Sequence, residues 1–316
     1  MKRDGTKLAV IVGPTATGKS TLAVEIAKRM NGEIVSADSV AVYKGLNIGS
    51  AKPTLAERGG IPHHMIDCAG PAESFTVSDY QTGARTAIDA ISQNGRLPIL
   101  AGGTGLYISA VTTGLDFTDA GRDENFRKAW EEKEETHPGS AIEELKKIDE
   151  KRAGELHPND FKRIVRALEV FHLTGVPMSE QTGEFRKSDS PYRLAVVGLT
   201  MPREMLYGRI ENRVDGMLRE GLVEEVRGLL EGGLDPNAPS MQGLGYKEIA
   251  DYINGSCSFE QAVYLIKQNT RRFAKRQLTW FKRDPRILWF DVSEYEQNAL
   301  AKEVEEYFRH ELFGND

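Results

Sequence analysis

A glycine-rich segment near the start of the chain has the clearest chemical potential. Its pattern, G-x-x-x-x-G-K-S, follows a short apolar run, Leu8 to Val12, and precedes a segment with helical periodicity. In such a segment the backbone N–H groups and the start of the helix surround an anion, and the lysine contacts terminal phosphate oxygens. The pattern therefore predicts a site for a diphosphate or polyphosphate. We call the segment the phosphate loop; its residues are Gly13, Pro14, Thr15, Ala16, Thr17, Gly18, Lys19, Ser20 and Thr21.

Two hydroxyl residues and one missing acid refine this prediction. Ser20 and Thr21 follow the lysine, and either side chain could hold Mg²⁺. Enzymes that use such a loop to hydrolyse ATP commonly carry an acidic metal ligand at the end of a neighbouring strand. The best candidate strand, Leu97 to Leu100, continues into Ala-Gly-Gly-Thr without an acid. The sequence therefore disfavours ATP hydrolysis and leaves kinases and enzymes whose leaving group is diphosphate.

Two polar residues follow predicted strands, and the carboxyl ends of parallel strands line a ligand crevice. Asp38 ends the strand that begins at Ile34, and its carboxylate could accept a proton from a nucleophile or stabilise a turn. Thr104 follows Gly102 and Gly103, and its hydroxyl could contact a ligand or cap the next helix. The residues alone leave both pairs of alternatives open.

A basic stretch near the C-terminus is the second feature with a chemical interpretation. It holds seven Lys and Arg residues and one acid, interleaved with Phe273, Trp280 and Phe281. This mixture suits contact with phosphates and stacking on unpaired bases, but it also occurs on solvated helix faces whose aromatic residues enter the core. A smaller basic set lies mid-chain, and the two sets suggest a clamp around one polyanion. Their members are Arg271, Arg272, Lys275, Arg276, Lys282, Arg283 and Arg286, and Lys162, Arg163 and Arg166.

The elements that must position these residues alternate between strands and helices. Strand character is missing from residues 123–173, where only helical signals occur. The sequence therefore predicts an α/β fold: a P-loop NTPase-like parallel sheet core, 1–116 and 191–316, with an inserted all-helical domain, 117–190, and a helical C-terminal part. The predicted strands lie at residues 8–12, 34–35, 65–66, 97–100, 194–199 and 287–292.

Composition and charge exclude several classes of protein. The chain has 316 residues and a net charge of −6 at pH 7, which argues against a uniformly basic nucleic-acid binder. Cys68 and Cys257 are too few and too far apart for a disulfide framework or a cysteine zinc site. No segment approaches about 20 consecutive apolar residues, and the N-terminus lacks the pattern of a signal peptide. We therefore expect a soluble, cytoplasmic protein.

With these residues assembled, the sequence resembles the bacterial tRNA dimethylallyltransferase family, whose members are also called tRNA isopentenylpyrophosphate transferases. The resemblance extends over almost the whole chain, and the ordered set of motifs is more specific than the phosphate loop alone. The motifs are Gly13 to Ser20, Asp38-Ser39 with Tyr43, Gly49 to Pro53, Gly102 to Tyr107, His157 to Asp160 with Arg166 to Glu169, Gly245-Tyr246, and Arg271 to Phe281.

The resemblance implies a donor and an acceptor. The donor would be dimethylallyl diphosphate, bound in the phosphate loop with Mg²⁺ as cofactor. The acceptor would be N6 of the adenosine 3′ of the anticodon in tRNA, flipped into a channel in the protein. Neither a membrane nor a protein partner is implied.

The resemblance also implies roles for individual residues. Asp38 matches the family's general base, and Thr104 and Arg127 match residues near the reacting groups. Arg213 corresponds to a diphosphate-binding arginine. The inserted domain and the segment 242–247 match surfaces that grip the anticodon stem-loop. The residues predicted to contact tRNA are Asp38, Ser39, Val40, Ala41, Lys162, Arg163, Arg166, Gln242, Gly243, Leu244, Gly245, Tyr246, Lys247, Arg271, Arg272, Lys275 and Arg276.

One departure and three alternatives accompany this prediction. Many family members carry Gln at the position of Ala41, so this chain lacks that side chain beside the flipped base. A small-molecule kinase would explain the phosphate loop but not the basic stretch. An enzyme that transfers the same allyl group to free adenine nucleotides would not need a tRNA clamp. A non-catalytic RNA-binding protein would explain the basic residues but would leave Lys19 and Asp38 without a role.

Overall fold

The chain divides into two compact units, residues 1–112 with 190–316 and residues 113–189. The computed structural model describes residues 5–113, 121, 123–181 and 190–314. The sequence places the domain boundaries at 116/117 and 190/191, close to these positions. Each unit has a hydrophobic core of its own.

The larger unit is built on a parallel sheet. Its strands are β1 (Lys7–Val12), β2 (Gly32–Ala37), β3 (His63–His64), β4 (Leu97–Gly102), β5 (Arg193–Thr200) and β6 (Ile287–Asp291). They lie in the order β3-β2-β4-β1-β5-β6, and every neighbouring pair is parallel. The predicted α/β class and parallel sheet are therefore confirmed.

The third strand differs from the prediction. It comprises His63–His64 and pairs with β2, whereas the sequence placed it at residues 65–66. Met65 and Asp67 have φ angles of 61° and 55°, in the left-handed region. An extended strand has negative φ, so it cannot continue through these two residues.

Helices surround the sheet in the larger unit and form the smaller one. In chain order they are α1 (Lys19–Arg29), α2 (Leu55–Arg58), α3 (Val77–Gln93), α4 (Gly105–Thr112), α5 (Glu124–Thr136), α6 (Ser140–Ile148), α7 (Glu150–Glu155), α8 (Phe161–Thr174), α9 (Met178–Gln181), α10 (Arg203–Arg219), α11 (Leu222–Glu231), α12 (Tyr246–Ile253), α13 (Phe259–Phe281) and α14 (Gln297–Phe313), with a 3₁₀ turn at Pro239–Gln242. Over the described ranges, none of them is long and apolar enough to cross a membrane.

Strand β1 shows why the sheet is covered on both faces. Leu8, Val10 and Val12 are buried on one face, and Ala9 and Ile11 are buried on the other. Helices α1 and α14 cover the face of Ala9, while α3, α4 and α10 to α13 cover the opposite face. A strand buried on both sides needs a continuous apolar run, which is the pattern seen in the sequence.

Short polar signals determine where the helices begin. Thr76 starts α3 with a capping box, because its hydroxyl accepts the N–H of Asp79 and the Asp79 carboxylate accepts the N–H of Thr76. Ser258 caps α13 through the N–H of Gln261. Asp160 precedes α8, where the sequence predicts a new helix.

The smaller unit has a helical core. Buried side chains of α6 and α8 meet there, among them Leu145, Ile164 and Leu168, and Trp130 of α5 packs against them. Apolar residues three and four apart form the buried stripe of each helix, as amphipathic helices require.

Candidate active site

The carboxyl ends of three neighbouring strands bring the predicted site residues together. Val12 ends β1 and pairs in register with Gly102 of β4, which in turn pairs with Ala37 at the end of β2. Neighbouring strands lie about 4.8 Å apart. The phosphate loop and the loops that carry Asp38 and Thr104 therefore start side by side.

The phosphate loop has the conformation of an anion cradle. Ala16 and Gly18 have positive φ angles of 66° and 89°, which turn the chain sharply into α1. Gly18 precedes α1 and has no side chain to cap it, so the first-turn N–H groups lack a capping partner. The Lys19 ammonium donates to the carbonyl of Pro14 at 2.6 Å and lies back over the loop. Free N–H groups at a helix start and a nearby lysine attract an anion.

Two cations and one carboxylate interact at this cradle. Burial and, to a lesser extent, the charge of Arg213 lower the pKa of Lys19 to about 7, against the opposing attraction of Asp38. Burial also lowers the pKa of Arg213, against the attraction of Asp38. Within the described ranges, the guanidinium of Arg213 has no hydrogen bond or ion pair. Two buried cations beside a single carboxylate leave an excess of positive charge, which favours a bound polyanion.

Asp38 uses one carboxylate oxygen for structure and keeps the other free. Its Oδ1 accepts the N–H groups of Val40 at 2.8 Å and Ala41 at 3.1 Å, which stabilises the turn after β2. Its Oδ2 has no hydrogen-bond partner in the part of the chain that the structure describes. The two alternatives left open by the sequence are therefore compatible, since the same carboxylate can stabilise a turn and accept a proton.

Two stacked tyrosines lie near Asp38. The rings of Tyr80 and Tyr107 are parallel, with centroids 3.8 Å apart, and Tyr80 donates to the Ser36 carbonyl at 2.8 Å. Burial raises the pKa of both phenols, and the charge of Asp38 raises it further. Both tyrosines therefore stay neutral, so Asp38 has an apolar aromatic boundary on this side.

Thr104 joins the loop after β4 to the loop after β2. Its N–H donates to the Ala37 carbonyl at 3.0 Å, and its hydroxyl oxygen accepts the N–H of Ser39 at 3.1 Å. The hydroxyl does not cap α4, which was one of the two alternatives. It holds Ser39 beside Asp38, and its own hydrogen is donated to Oγ of Ser39 at 3.4 Å, a long contact that a ligand could replace.

Helix α13 contributes a residue that sequence analysis missed. Gln277 accepts the N–H of Thr15 at 2.9 Å and donates to the Gly103 carbonyl at 2.9 Å. Its side chain is 7% exposed and occupies the buried stripe of the helix between Ala274 and Phe281. A polar residue within an apolar stripe was the available signal for this contact.

The outer surface of α13 carries much of the basic stretch. A groove of about 420 Å³ is lined by Arg272, Lys275, Arg276, Thr279, Trp280 and Arg283. Arg271 differs from this set because it is half-buried and pairs with Glu211 at 2.7 Å. The structure thus offers Arg272, Lys275 and Arg276 to a polyanion, while Arg271 is held by a carboxylate.

The segments 38–41 and 242–247 lie next to each other. A Cβ added to Gly243 would stand 3.2 Å from the side chain of Val40, so the two segments are in close contact. Ser39, Gln242 and Lys247 are exposed beside this contact. The structure therefore brings two of the segments predicted to bind tRNA into one surface.

A carboxylate of α11 holds the loop at residues 47–49, which follows the segment 38–41 in the chain. Glu225 accepts the N–H groups of Asn47, Ile48 and Gly49, and it also accepts the hydroxyl of Tyr246 at 2.7 Å. Four donors to one carboxylate fix the loop firmly, because hydrogen bonds to a charged group are stronger than neutral ones. Sequence analysis missed this residue, since a single Glu on a helix gives no local signal.

Three residues predicted to contact a ligand have buried side chains, which restricts any contact to their backbone atoms. Ala41 is 3% exposed and Tyr246 is fully buried, so neither side chain is available to an RNA. The backbone N–H of Ala41 donates a hydrogen bond to Asp38, and the hydroxyl of Tyr246 donates one to Glu225. Thr17 is also buried, and its hydroxyl donates to the Pro14 carbonyl at 2.8 Å. Its side chain therefore stabilises the phosphate loop and does not reach a diphosphate.

In the smaller unit, a buried carboxylate organises two predicted site residues. Glu169 is fully buried and accepts Nε and Nη2 of Arg127 and Nη1 of Arg166, at 2.6–2.8 Å. Burial raises the pKa of Glu169, but hydrogen bonds from the two arginines outweigh this effect and lower the pKa to about 2. Lys162 and Arg163 are exposed on α8. Arg163 also pairs with Asp160 at 3.3 Å, so Lys162 is the member of the smaller basic set that has no carboxylate partner among the described residues.

The hydroxyls proposed for Mg²⁺ occupy suitable positions. Ser20 and Thr21 are exposed in the first turn of α1, directly after Lys19, and neither hydroxyl has a hydrogen bond among the described residues. In the part of the chain that the structure describes, no group of three or more His, Cys, Asp or Glu residues is arranged to hold a metal. Mg²⁺ is commonly held by one or two protein oxygens together with phosphate oxygens. The donor set therefore fits a metal that arrives with a diphosphate.

Comparison with known proteins settles the family. A model of the IPP transferase family matches residues 41–284. The chain belongs to the IPP transferase family. The tRNA dimethylallyltransferase of Pelotomaculum thermopropionicum is 48% identical to it over 298 residues, which cover 94% of this chain and 95% of that protein.

Solved structures of IPP transferases share the fold. The full-length tRNA isopentenylpyrophosphate transferase of Bacillus halodurans is 42% identical, with a TM-score of 0.74 and 97% of each chain covered. A eukaryotic dimethylallyltransferase acting on tRNA is 31% identical, with a TM-score of 0.79 over 95% of this chain and 78% of the other. These similarities extend beyond the span of the family model and cover most of both units.

Proposed function

We propose that this IPP transferase moves a dimethylallyl group from dimethylallyl diphosphate to N6 of the adenosine 3′ of the anticodon in tRNA, and releases diphosphate. The observation that carries the proposal is the group formed by Lys19, Arg213 and Asp38 at the carboxyl ends of β1 and β2. Cations that attract a diphosphate, next to a carboxylate that can accept a proton, are the groups that this transfer needs.

The cationic residues of the site stabilise the leaving group. As the bond between the allyl carbon and the diphosphate oxygen breaks, negative charge grows on the diphosphate. Lys19, Arg213 and the N–H groups at the start of α1 stabilise that charge. Ser20 or Thr21 would hold Mg²⁺, which supplies additional positive charge to the phosphate oxygens.

Asp38, on the acidic side of the site, assists the acceptor. An exocyclic adenine amine is a weak nucleophile, so accepting its proton and fixing its position both assist attack. The amine nitrogen forms a bond with the allyl carbon and loses one proton to Oδ2 of Asp38. Hydrogen bonds at Oδ1 keep the carboxylate oriented during this transfer.

Basic surfaces would bind the rest of the tRNA. In the larger unit, the groove on α13 offers Arg272, Lys275 and Arg276 beside Trp280, a combination suited to phosphates and unpaired bases. In the smaller unit, Lys162 offers an exposed charge, and Arg163 is exposed but pairs with Asp160 at 3.3 Å. A base in an anticodon loop is already unpaired in part, which lowers the free energy needed to flip it. Cys68 and Cys257 are free thiols, and we place the activity in the cytoplasm.

Incorporation of labelled dimethylallyl diphosphate tests this function. The purified chain is incubated with unmodified tRNA and Mg²⁺, with AMP and ATP as rival acceptors. We expect label in tRNA at a single adenosine beside the anticodon. Label in AMP or ATP would show that free nucleotides, and not tRNA, accept the dimethylallyl group. Binding of tRNA without any labelled product would contradict the transferase assignment.

A further inference from the structure

Gln277 is the contact between α13 and both loops that frame the diphosphate site. It bonds to Thr15 in the phosphate loop and to Gly103 in the loop that carries Thr104. The neighbouring Trp280 packs so closely on the second loop that a Cβ added to Gly105 would lie 2.3 Å from its ring. Helix α13 therefore contacts the diphosphate site with one side and carries the basic groove on another.

We propose that Gln277 is a positioning residue for dimethylallyl transfer, and that its side-chain amide sets the separation of the phosphate loop from the Thr104 loop. This inference rests on the proposed function, because it concerns the same diphosphate site. By accepting the N–H of Thr15, Gln277 holds the start of the phosphate loop away from the anion. The first-turn N–H groups of α1 are then left as the donors to the diphosphate.

Only a primary amide satisfies both contacts. The oxygen of Gln277 must accept one hydrogen bond while its nitrogen donates another. An ionised glutamate could accept from Thr15, but its second oxygen would face the Gly103 carbonyl and be repelled. A leucine would leave a buried N–H and a buried carbonyl without partners, which is costly. The position therefore has a chemical requirement and not only a packing requirement.

The first test compares Gln277→Leu with wild type in two binding measurements. We expect the Kd for inorganic diphosphate, measured by calorimetry, and the KM for dimethylallyl diphosphate to rise about tenfold, the effect of losing roughly one net hydrogen bond. We expect the Kd for tRNA to change less than twofold, because the basic groove keeps its side chains. Gln261→Ala, an exposed residue on the same helix, is the matched control and should leave all three values unchanged.

Two further variants separate positioning from general damage to the fold. A Cβ at Gly103 would lie 2.3 Å from Nε2 of Gln277, so Gly103→Ala should displace the amide and reproduce the leucine phenotype. Combined with Gln277→Leu, its effect should not add, as expected of residues that act through one contact. In Gln277→Glu, protonation restores the missing donor, so the ratio of its diphosphate affinity to that of wild type should rise as the pH is lowered.

The outcomes distinguish this proposal from the proposed function. Failure of the wild type to label tRNA would refute the proposed function, while the calorimetric comparison with inorganic diphosphate would still test Gln277. An unchanged diphosphate Kd in Gln277→Leu would overturn the positioning role. A parallel loss of diphosphate affinity, tRNA affinity and melting temperature would also overturn it, because that result indicates a purely structural residue.

Discussion

We predict that the ammonium group of Lys19 makes diphosphate binding depend on pH near neutrality. Burial and the charge of Arg213 lower the pKa of Lys19 to about 7 in the free protein. A bound diphosphate favours the charged lysine and raises this pKa, so binding takes up a proton as the pH rises past 7. The affinity should therefore be highest below pH 7 and should weaken above it.

The size of the effect follows from the fraction of lysine already charged. With a pKa of about 7, half of the Lys19 side chains are protonated at pH 7 and about one in a hundred at pH 9. If the complex keeps the proton throughout, the affinity falls about 50-fold over this interval, or about 2.3 kcal/mol. Below about pH 6, Lys19 no longer makes the affinity depend on pH, because it is then charged with or without ligand.

Calorimetry with inorganic diphosphate from pH 6 to pH 9 measures this dependence. Diphosphate itself titrates in this range, so Lys19→Arg provides the control, since its guanidinium stays charged throughout. The ratio of wild-type to variant affinity isolates the lysine and should fall about 50-fold between pH 7 and pH 9. Titrations in buffers of different ionisation enthalpy should show uptake of close to one proton at pH 8 or above. A constant ratio together with no proton uptake would refute the reasoning.

Three other predictions concern the base, the basic groove and the smaller unit. Asp38→Asn keeps an acceptor for the turn but cannot take a proton, so turnover should fall at least about 100-fold while tRNA affinity stays unchanged; wild-type turnover would remove Asp38 from the mechanism. Arg272→Gln with Arg276→Gln should weaken tRNA binding and reduce the slope of log affinity against log salt by about 1.4. Lys302→Gln on α14 is the control, and an equal slope in both proteins would place the RNA elsewhere. The pKa of Glu169, about 2, predicts that its stabilising contribution is present above pH 4.5 and is lost as the pH falls towards 2. Glu169→Gln should flatten this part of the denaturant-unfolding profile, and parallel profiles for variant and wild type would contradict the prediction.

Several features of the site could be predicted because their signals are local. The phosphate loop needs only its own residues, a preceding strand and a following helix, all of which are contiguous from Lys7 to Arg29. Asp38 and Thr104 could be placed at strand ends because continuous apolar runs identify buried parallel strands. The third strand was misplaced because its two residues are too few to show a period, and because the positive φ angles after it leave no clear signal in the sequence.

Only the tertiary structure shows which predicted residues are available to a ligand. Seven basic residues between positions 271 and 286 look equivalent in the sequence, yet Arg271 pairs with Glu211 while Arg272 and Arg276 line an open groove. Likewise, Ala41 and Tyr246 are among the residues predicted to contact tRNA, but their side chains are buried. Exposure depends on how distant elements pack, and a linear pattern does not contain that information.

The sequence by itself determined the family, the parallel α/β core and the position of the phosphate loop, because each is encoded in short segments with strong local preferences. The tertiary structure decided how the site is held. Gln277 reaches Thr15 across 262 residues, and Glu225 reaches the loop at Asn47 across 178. Such contacts depend on the register of the sheet and on the packing of α11 and α13. A single polar residue on a helix gives no sign of which distant backbone group it will meet.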